Sequence, residues 1–345
     1  MFKKKFSIAT LALALALPLF TAQVHAQAKH EVTQVVATTS FAFLAMYVAE
    51  HMNYFAEEGV AMKTVNAATA QAGLAMISSG DAAYYLSTPT AGARAAAQGA
   101  RMLNCGALMT QNPTNIVISA AMAKKLNFNA NSKLPIEQRI ALLKGMRLAA
   151  HTAGSSPDLT LKYLLTVSGL NPERDVQILP ITQDAILAAL ERDRIDGFAY
   201  SSPLADTAVV KFGAVKLIAL AAGDFKPLAG QLSISMVCNR DWVEKQPEAA
   251  AAVLRAYWRA MKLMKSDPAT ARTAARKAFP NLEEAIFNAA FETNLAAMPD
   301  SPTITRAQMD AALDFHVKTG GTPITVKVED TFTNAAVERA GRTMK

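Results

Sequence analysis

The sequence predicts an α/β protein of two lobes, each a mainly parallel sheet flanked by helices, with a helical C-terminal region packed on the first lobe. Three observations carry this expectation. Between residues 32 and 220, strand-length apolar runs alternate with helix-length segments, as in βαβ units. Four of those runs end in hydroxyl-rich junctions: Thr38-Thr39-Ser40, Ser87-Thr88-Pro89, Gly154-Ser155-Ser156-Pro157 and Ser201-Ser202-Pro203. After Asn239 the pattern becomes almost continuous helix, which leaves no room for a third sheet.

The chain opens on a leader. Lys3-Lys4-Lys5 supplies a charged region, residues 11–20 an apolar one, and Val24-His25-Ala26 a small-residue cleavage site. The apolar run is too short to cross a bilayer, and no cysteine follows it to carry a lipid anchor. Residues 1–26 are therefore expected to be a signal peptide cut after Ala26, which makes the mature protein periplasmic and not inserted in a membrane. The remaining 319 residues are enough for about two domains of ~150 each. Losing three lysines and no acid takes the formal net charge from +7 to +4. That charge is unclustered, so a nucleic-acid partner is not expected.

Residues 27–112 read as the first part of lobe 1. A strand at 32–37 precedes a helix at 43–57, ended near Gly59, and a strand at 60–65 follows. Then come a helix at 69–79, the turn Gly80-Asp81, a strand at 82–86, an alanine-rich helix at 90–98 and a strand at 101–109. Asn112-Pro113 interrupts the pattern, and the β-rich run 114–119 leads into lobe 2, residues 113–235. Its central stretch is 143–170. A strand at 146–150 sits between Gly145 and Gly154, and Ser156-Pro157-Asp158 has the composition of a helix start, with the hydroxyl as N-cap. Leu161, Leu164, Leu165 and Ser168 keep helical spacing up to Gly169. Strands at 176–179, 195–200 and 215–220 alternate with helices at 184–192 and after Pro203. A strand at 232–238 carries the chain back, so 236–345 is the return strand plus helices of lobe 1. Val253, Tyr257, Met261 and Met264 fall on one helical face and read as packing. Helices at 282–298 and 306–317 follow.

The repeated junction is a strand, a polar loop and a helix N-terminus, where backbone N–H groups are uncommitted and can hold a small polar or anionic ligand. Any one Ser-Pro or Thr-Pro pair is an ordinary helix cap. Four together outline a polar mouth at the carboxyl ends of the strands, the place where open α/β sheets bind ligands. His151 ends the central strand beside the glycine loop, where it could bond a carboxylate or sulfonate or orient the loop.

Catalytic and metal-binding patterns are absent from the sequence. The histidines His30, His51, His151 and His316 lie far apart, and no nucleophile elbow, P-loop or dinucleotide fingerprint occurs. No cofactor is expected. Tyr84 and Tyr85 are neighbours in a strand and so point to opposite faces. Cys105 and Cys238 could pair in an oxidising compartment; each lies in an apolar run, and they read as two small buried side chains.

Several stretches resemble those of extracytoplasmic solute-binding proteins of ABC importers, the branch handling nitrate, alkanesulfonates, taurine and thiamine-precursor pyrimidines. Asn53-Tyr54-Phe55-Ala56-Glu57-Glu58-Gly59-Val60 resembles that family's G-Y-F-x-x-E-G-L, with Asn53 where glycine is usual. Met76-Ile77-Ser78-Ser79-Gly80-Asp81-Ala82-Ala83 resembles L-x-S-G-D-x-D, with Ala83 in place of the acid. Leu143-Lys144-Gly145-Met146-Arg147-Leu148-Ala149 resembles L-K-G-K-x-I-A, and Gln246-Pro247-Glu248 resembles N-P-E. The resemblance spans residues 32–265 and implies a type II periplasmic-binding clamp, its lobes joined by crossings near 112–115 and 233–238. It implies a monomer that closes by hinge rotation and hands a small-molecule ligand to an ABC-importer permease. Carried onto this chain, the family's cleft draws on Ser40 and Phe41, Ser87 and Thr88, Ser155 and Ser156, Thr182 and Gln183, and Tyr200, Ser201 and Ser202. Phe41, Phe43 or Tyr200 would supply aromatic walls. No arginine adjoins these junctions, so neutral ligands stay open beside anionic ones. Two rival readings are a sensor subunit docking on a membrane receptor and an enzyme like the thiamine-pyrimidine synthases. The latter carry a cysteine-rich segment that this sequence lacks.

Overall fold

The computed structural model describes residues 29–344 apart from 38, 68 and 152. The expected leader, residues 1–26, lies outside the described residues. Among the described residues the strands are β1 (His30–Val36), β2 (Val60–Asn66), β3 (Tyr84–Ser87), β4 (Met102–Met109), β5 (Asn115–Ile118), β6 (Arg147–Ala150), β7 (Gln177–Pro180), β8 (Gly197–Tyr200), β9 (Val215–Ala219) and β10 (Ile234–Asn239). They form two five-stranded sheets, ordered β2-β1-β3-β10-β4 and β7-β6-β8-β5-β9. Each apolar run identified in the sequence has become a strand. In each sheet three neighbours are parallel, β2-β1-β3 in the first and β7-β6-β8 in the second. The strands that carry the chain between sheets run the other way: β10 is antiparallel to β3 and β4, and β5 to β8 and β9. The sheets are thus more mixed than βαβ alternation alone predicts.

Those reversals decide where the crossings lie. The carboxyl end of β3 pairs with the start of β10 (Ser87 opposite Ser235), and the end of β4 meets the same place (Met109 opposite Ile234). In the second sheet Asn115, the first residue of β5, pairs with Tyr200 at the end of β8 and with Ala219 at the end of β9. The chain therefore leaves the first sheet at its carboxyl edge and enters the second at its carboxyl edge, and it returns the same way. The two crossings run side by side, with Ser233 N donating to Met109 O at 2.9 Å and Gly230 N to Gln111 Oε1 at 3.3 Å. The hydroxyl-rich edges of the two sheets face each other as a result.

The first lobe holds the larger core. The helix Pro247–Ser266 lies on it, and Val253, Tyr257, Met261 and Met264 are all fully buried against Leu44, Phe55 and Leu108. Burial of that many large side chains, at about 1.5–3 kcal/mol each, fixes this helix to the first lobe. Tyr84 and Tyr85 point to opposite faces as their spacing requires, and helices on both faces bury both. The Tyr84 and Tyr257 hydroxyls both donate to Gln34 Oε1, at 2.7 and 2.6 Å, which satisfies polar groups in an apolar layer.

Three local expectations are corrected. The helix expected over 43–57 is two helices, Leu44–His51 and Tyr54–Glu57, because Asn53 sits at φ 57°, a left-handed turn a helix cannot continue through. The N-cap of the helix Ser156–Val167 is Ser155 rather than Ser156, with Pro157 still in the first turn. Cys105 and Cys238 are bonded to each other across β4 and β10, with Cα atoms 6.0 Å apart. The return of β10 from the second sheet brings together two positions 133 residues apart, which no local pattern shows.

Candidate functional site

The facing edges gather most of the residues expected at the cleft. On the first lobe, Ser40 follows β1 in an extended conformation and its Oγ accepts from Ala42 N at 3.2 Å, opening the short 3-10 turn Phe41–Phe43. Tyr47 Oη accepts from Ser40 N at 3.1 Å, and burial pushes that phenol's pKa above its ordinary value. Phe41 departs from expectation. Its ring is 1% exposed, stacked 4.3 Å from Phe279 and 5.7 Å from Phe287, so it anchors the turn in the core. Phe43 is buried too, which leaves Tyr200 as the aromatic side chain at the edge. Ser87 ends β3 half-buried, and exposed Thr88 starts the helix Pro89–Ala97.

On the second lobe, His151 lies half-buried at the end of β6, with its ring 6.1 Å from that of Tyr200. Tyr200 Oη donates to Gln183 Oε1 at 3.0 Å, and burial with Asp184 nearby keeps the phenol protonated. His151, Gln183 and Tyr200 thus form one cluster drawn from the ends of β6, β7 and β8. Gly154 turns with φ +79°, and its N–H donates to Asp158 Oδ2 at 2.8 Å, closing the loop onto its own helix. Asp158 is 3% exposed and also pairs with Lys162 at 3.2 Å. Ser156 and Thr182 are exposed, Ser201 is half-buried and Ser202 is buried.

Side-chain capping is uneven among the helices, and several starts away from the facing edges, such as Gln246, Glu283 and Asn334, lack it. Thr69, Ser119, Asn239, Asp267 and Thr305 each cap their helix with a side-chain hydrogen bond. Thr88, Ser155 and Thr182, at the helices that start on the facing edges, make no such bond. Their hydroxyls and the first-turn N–H groups remain free of one another, which is the state that lets a helix N-terminus receive an external acceptor. Ser155 Oγ is buried and has no hydrogen-bond partner among the described residues.

Sequence reasoning missed part of this edge. Asn294 Nδ2, on the helix Glu284–Leu295, donates to Ser202 Oγ at 2.8 Å. Asn112 Nδ2, in the crossing, donates to Thr160 Oγ1 at 3.2 Å. Neither residue sits in a junction, and Asn294 comes 92 positions after its partner, so spacing carried no signal. Cavities lie elsewhere. One of about 690 Å³ beside Tyr54 and Met344 is lined by Arg255, paired with Glu58, and Arg259, paired with Glu57 and Glu58. Another, of about 390 Å³, runs along β7 and reaches the facing edge at His151. Among the described residues, no group of three or more His, Cys, Asp or Glu is arranged to hold a metal ion.

A model of the NMT1-like family matches residues 32–278. A nitrate/nitrite binding protein, NrtA, of Nostoc sp. is 29% identical over 143 residues, 40% of this chain and 31% of that protein. The NrtA of Synechococcus elongatus is 25% identical over 134 residues, 39% of this chain and 29% of that protein. The matched stretch thus spans about a third of the length of these relatives. Among solved structures, the periplasmic aliphatic sulphonate binding protein SsuA from Escherichia coli superposes with a TM-score of 0.66 at 18% identity, covering 88% of this chain and 92% of that one. The periplasmic nitrate-binding protein NrtA from Synechocystis gives 0.64 at 13% identity, covering 91% and 89%. At such identities the likeness is one of fold: a two-lobed clamp.

Proposed function

Since the chain belongs to the NMT1-like family, we propose that it is an extracytoplasmic solute-binding protein, and that the facing edges of its two sheets are the ligand cleft. In this reading the lobes divide at residues 112/113 and 235/236. The protein captures a small polar solute, anionic at one end, such as a sulfonate or carboxylate, and delivers it to an ABC-importer permease. No covalent step is required. The observation that carries the reading is the set of uncapped helix N-termini at Thr88, Ser155 and Thr182 on edges that the crossings turn toward each other. Donor groups held ready in this way suit an oxygen-rich anion without a lysine or arginine. The cations Lys162 and Lys216 are committed to the buried Asp158 and Asp206. The names of the relatives, which bind nitrate, nitrite and aliphatic sulphonates, support the same chemistry.

Thermal unfolding of refolded protein against sulfonates, nitrate, carboxylates and pyrimidines tests this. A true ligand at 100 times its Kd adds about 2.7 kcal/mol, a shift of several degrees. The shift should vanish for Ser155→Ala with Ser156→Ala. A flat response across the panel, or a shift that survives these substitutions, counts against the cleft as assigned.

A further inference from the structure

The two crossings are not the sole ties between the lobes. The helix Glu284–Leu295 buries Phe287, Ala290 and Phe291 in the core of the first lobe, against Phe41 and Phe279. Its other side meets the second lobe along the helix Leu204–Phe212 and the turn Leu220–Ala222. The contacts there are polar and sheltered. Asn294 Nδ2 donates to Ser202 Oγ at 2.8 Å, both residues being more than nine-tenths buried. Thr293 Oγ1 lies 3.0 Å from Asp206 Oδ1, and Lys216 Nζ donates to both atoms. Asp206 is 0% exposed, so Lys216 and Thr293 are what hold its carboxylate in place. Lys211 adds an exposed ion pair with Glu283 at 2.8 Å. A second brace lies in the next helix, Arg306–Lys318, where the Phe315 ring sits 5.1 Å from that of Tyr163 on the second lobe.

We propose that the helix Glu284–Leu295 is a third, non-covalent connection between the lobes, with Asn294 and Thr293 as positioning residues that set lobe closure through Ser202 and Asp206. The proposal rests on the cleft reading above, because Ser202 is a cleft residue in it. Its physical content is an equilibrium. Drawing the second lobe away from this helix would break the buried Asn294–Ser202 bond and the part-buried Thr293–Asp206–Lys216 cluster, so the seam favours the arrangement with the lobes held together before any ligand arrives. Ligand then pays less of the cost of closure. A helix far along the chain thereby tunes affinity without touching ligand.

Interlobe distance in ligand-free protein measures this directly. Arg94→Cys and Glu191→Cys place spin labels on exposed helical sites of the first and second lobes, the native cysteines being bonded to each other. Combining Asn294→Ala with Thr293→Val should shift the distance distribution outward, raising the open-to-closed ratio by about tenfold, the scale of one buried hydrogen bond. Thr293→Ser alone, which keeps the hydroxyl, should leave the parent distribution unchanged. Thr69→Ala, which removes a helix cap on the first lobe away from the seam, should leave it unchanged. Identical distributions for the parent and the double variant would overturn the proposal. Should the double variant not fold, Thr293→Val alone serves, read against the same two outcomes. Because the measurement uses no ligand, it fails or succeeds independently of the ligand panel.

Discussion

Asn53 shows how much a single residue can decide. With φ at 57° it divides what would otherwise be one helix, and asparagine is among the few residues that adopt this conformation readily. Asn53→Val should therefore cost about 1–2 kcal/mol in denaturant unfolding, while Asn53→Gly should be close to neutral. Lys216 makes a sharper case. It holds Asp206, whose second carboxylate oxygen is buried without a partner. Lys216→Met would leave that charge uncompensated and should destabilise by about 3–5 kcal/mol, measured by thermal or urea unfolding. Replacing Asp206 with Asn in the same background should recover part of the loss. Nothing in the local sequence marks either residue, since Asp206 sits in the first turn of a helix like any acid there.

At the scale of elements, the start of β6 is tied down by one carboxylate. Asp196 accepts from Arg147 N at 2.8 Å, Nε at 3.2 Å and Nη2 at 2.8 Å, which fastens the central strand beside the incoming β8. These bonds hold the Asp196 pKa below its ordinary value, against the opposing effect of burial. A carboxylate depressed in the folded state contributes stability that is present above its unfolded pKa and lost as pH falls through the folded value. Asp196→Asn should therefore lower stability by about 1–3 kcal/mol at pH 7. The gap between variant and parent should close as pH drops below about 4, the unperturbed range. A gap that stays constant down to pH 2 would remove the carboxylate from the account. The strands themselves were legible because apolar runs of four to eight residues, bounded by glycine and hydroxyls, have few other ways to bury both faces. Their direction was not. Whether β5 and β10 run with or against their neighbours depends on which edge the chain arrives from, and that is a property of the sheet.

Over the whole molecule, the disulfide and the crossings act together. Cys105–Cys238 closes a loop of 133 residues that contains the entire second sheet. By the chain-entropy relation its removal should cost up to about 5 kcal/mol, less to the extent that the second lobe folds within the loop unaided. Cys105→Ala with Cys238→Ala, compared with the parent in guanidinium unfolding, reads that figure. An unchanged midpoint would mean that the two thiols are not bonded in solution. The candidate cleft is also a property at this scale. Ser87, Ser155 and Ser202 were found from their junctions alone, yet that they belong to two edges facing one another follows from the mouth-to-mouth crossings. Phe41 illustrates the limit from the other side. Its place after β1 suggested a cleft wall, and the Phe279 and Phe287 rings, more than 230 positions later, drew it into the core.

The amino-acid sequence by itself determined the alternation of strands and helices, the hydroxyl-rich strand ends, and the face that the helix Pro247–Ser266 buries. Each of these depends on residues within one or two turns of each other, where spacing and side-chain type are enough. The tertiary structure alone decided which strands reverse, that Cys105 meets Cys238, that Asn294 holds Ser202, and that Phe41 packs inward. Those outcomes turn on pairs separated by about eighty residues or more. What selects them is the burial and hydrogen bonding of the assembled chain, which no local window contains.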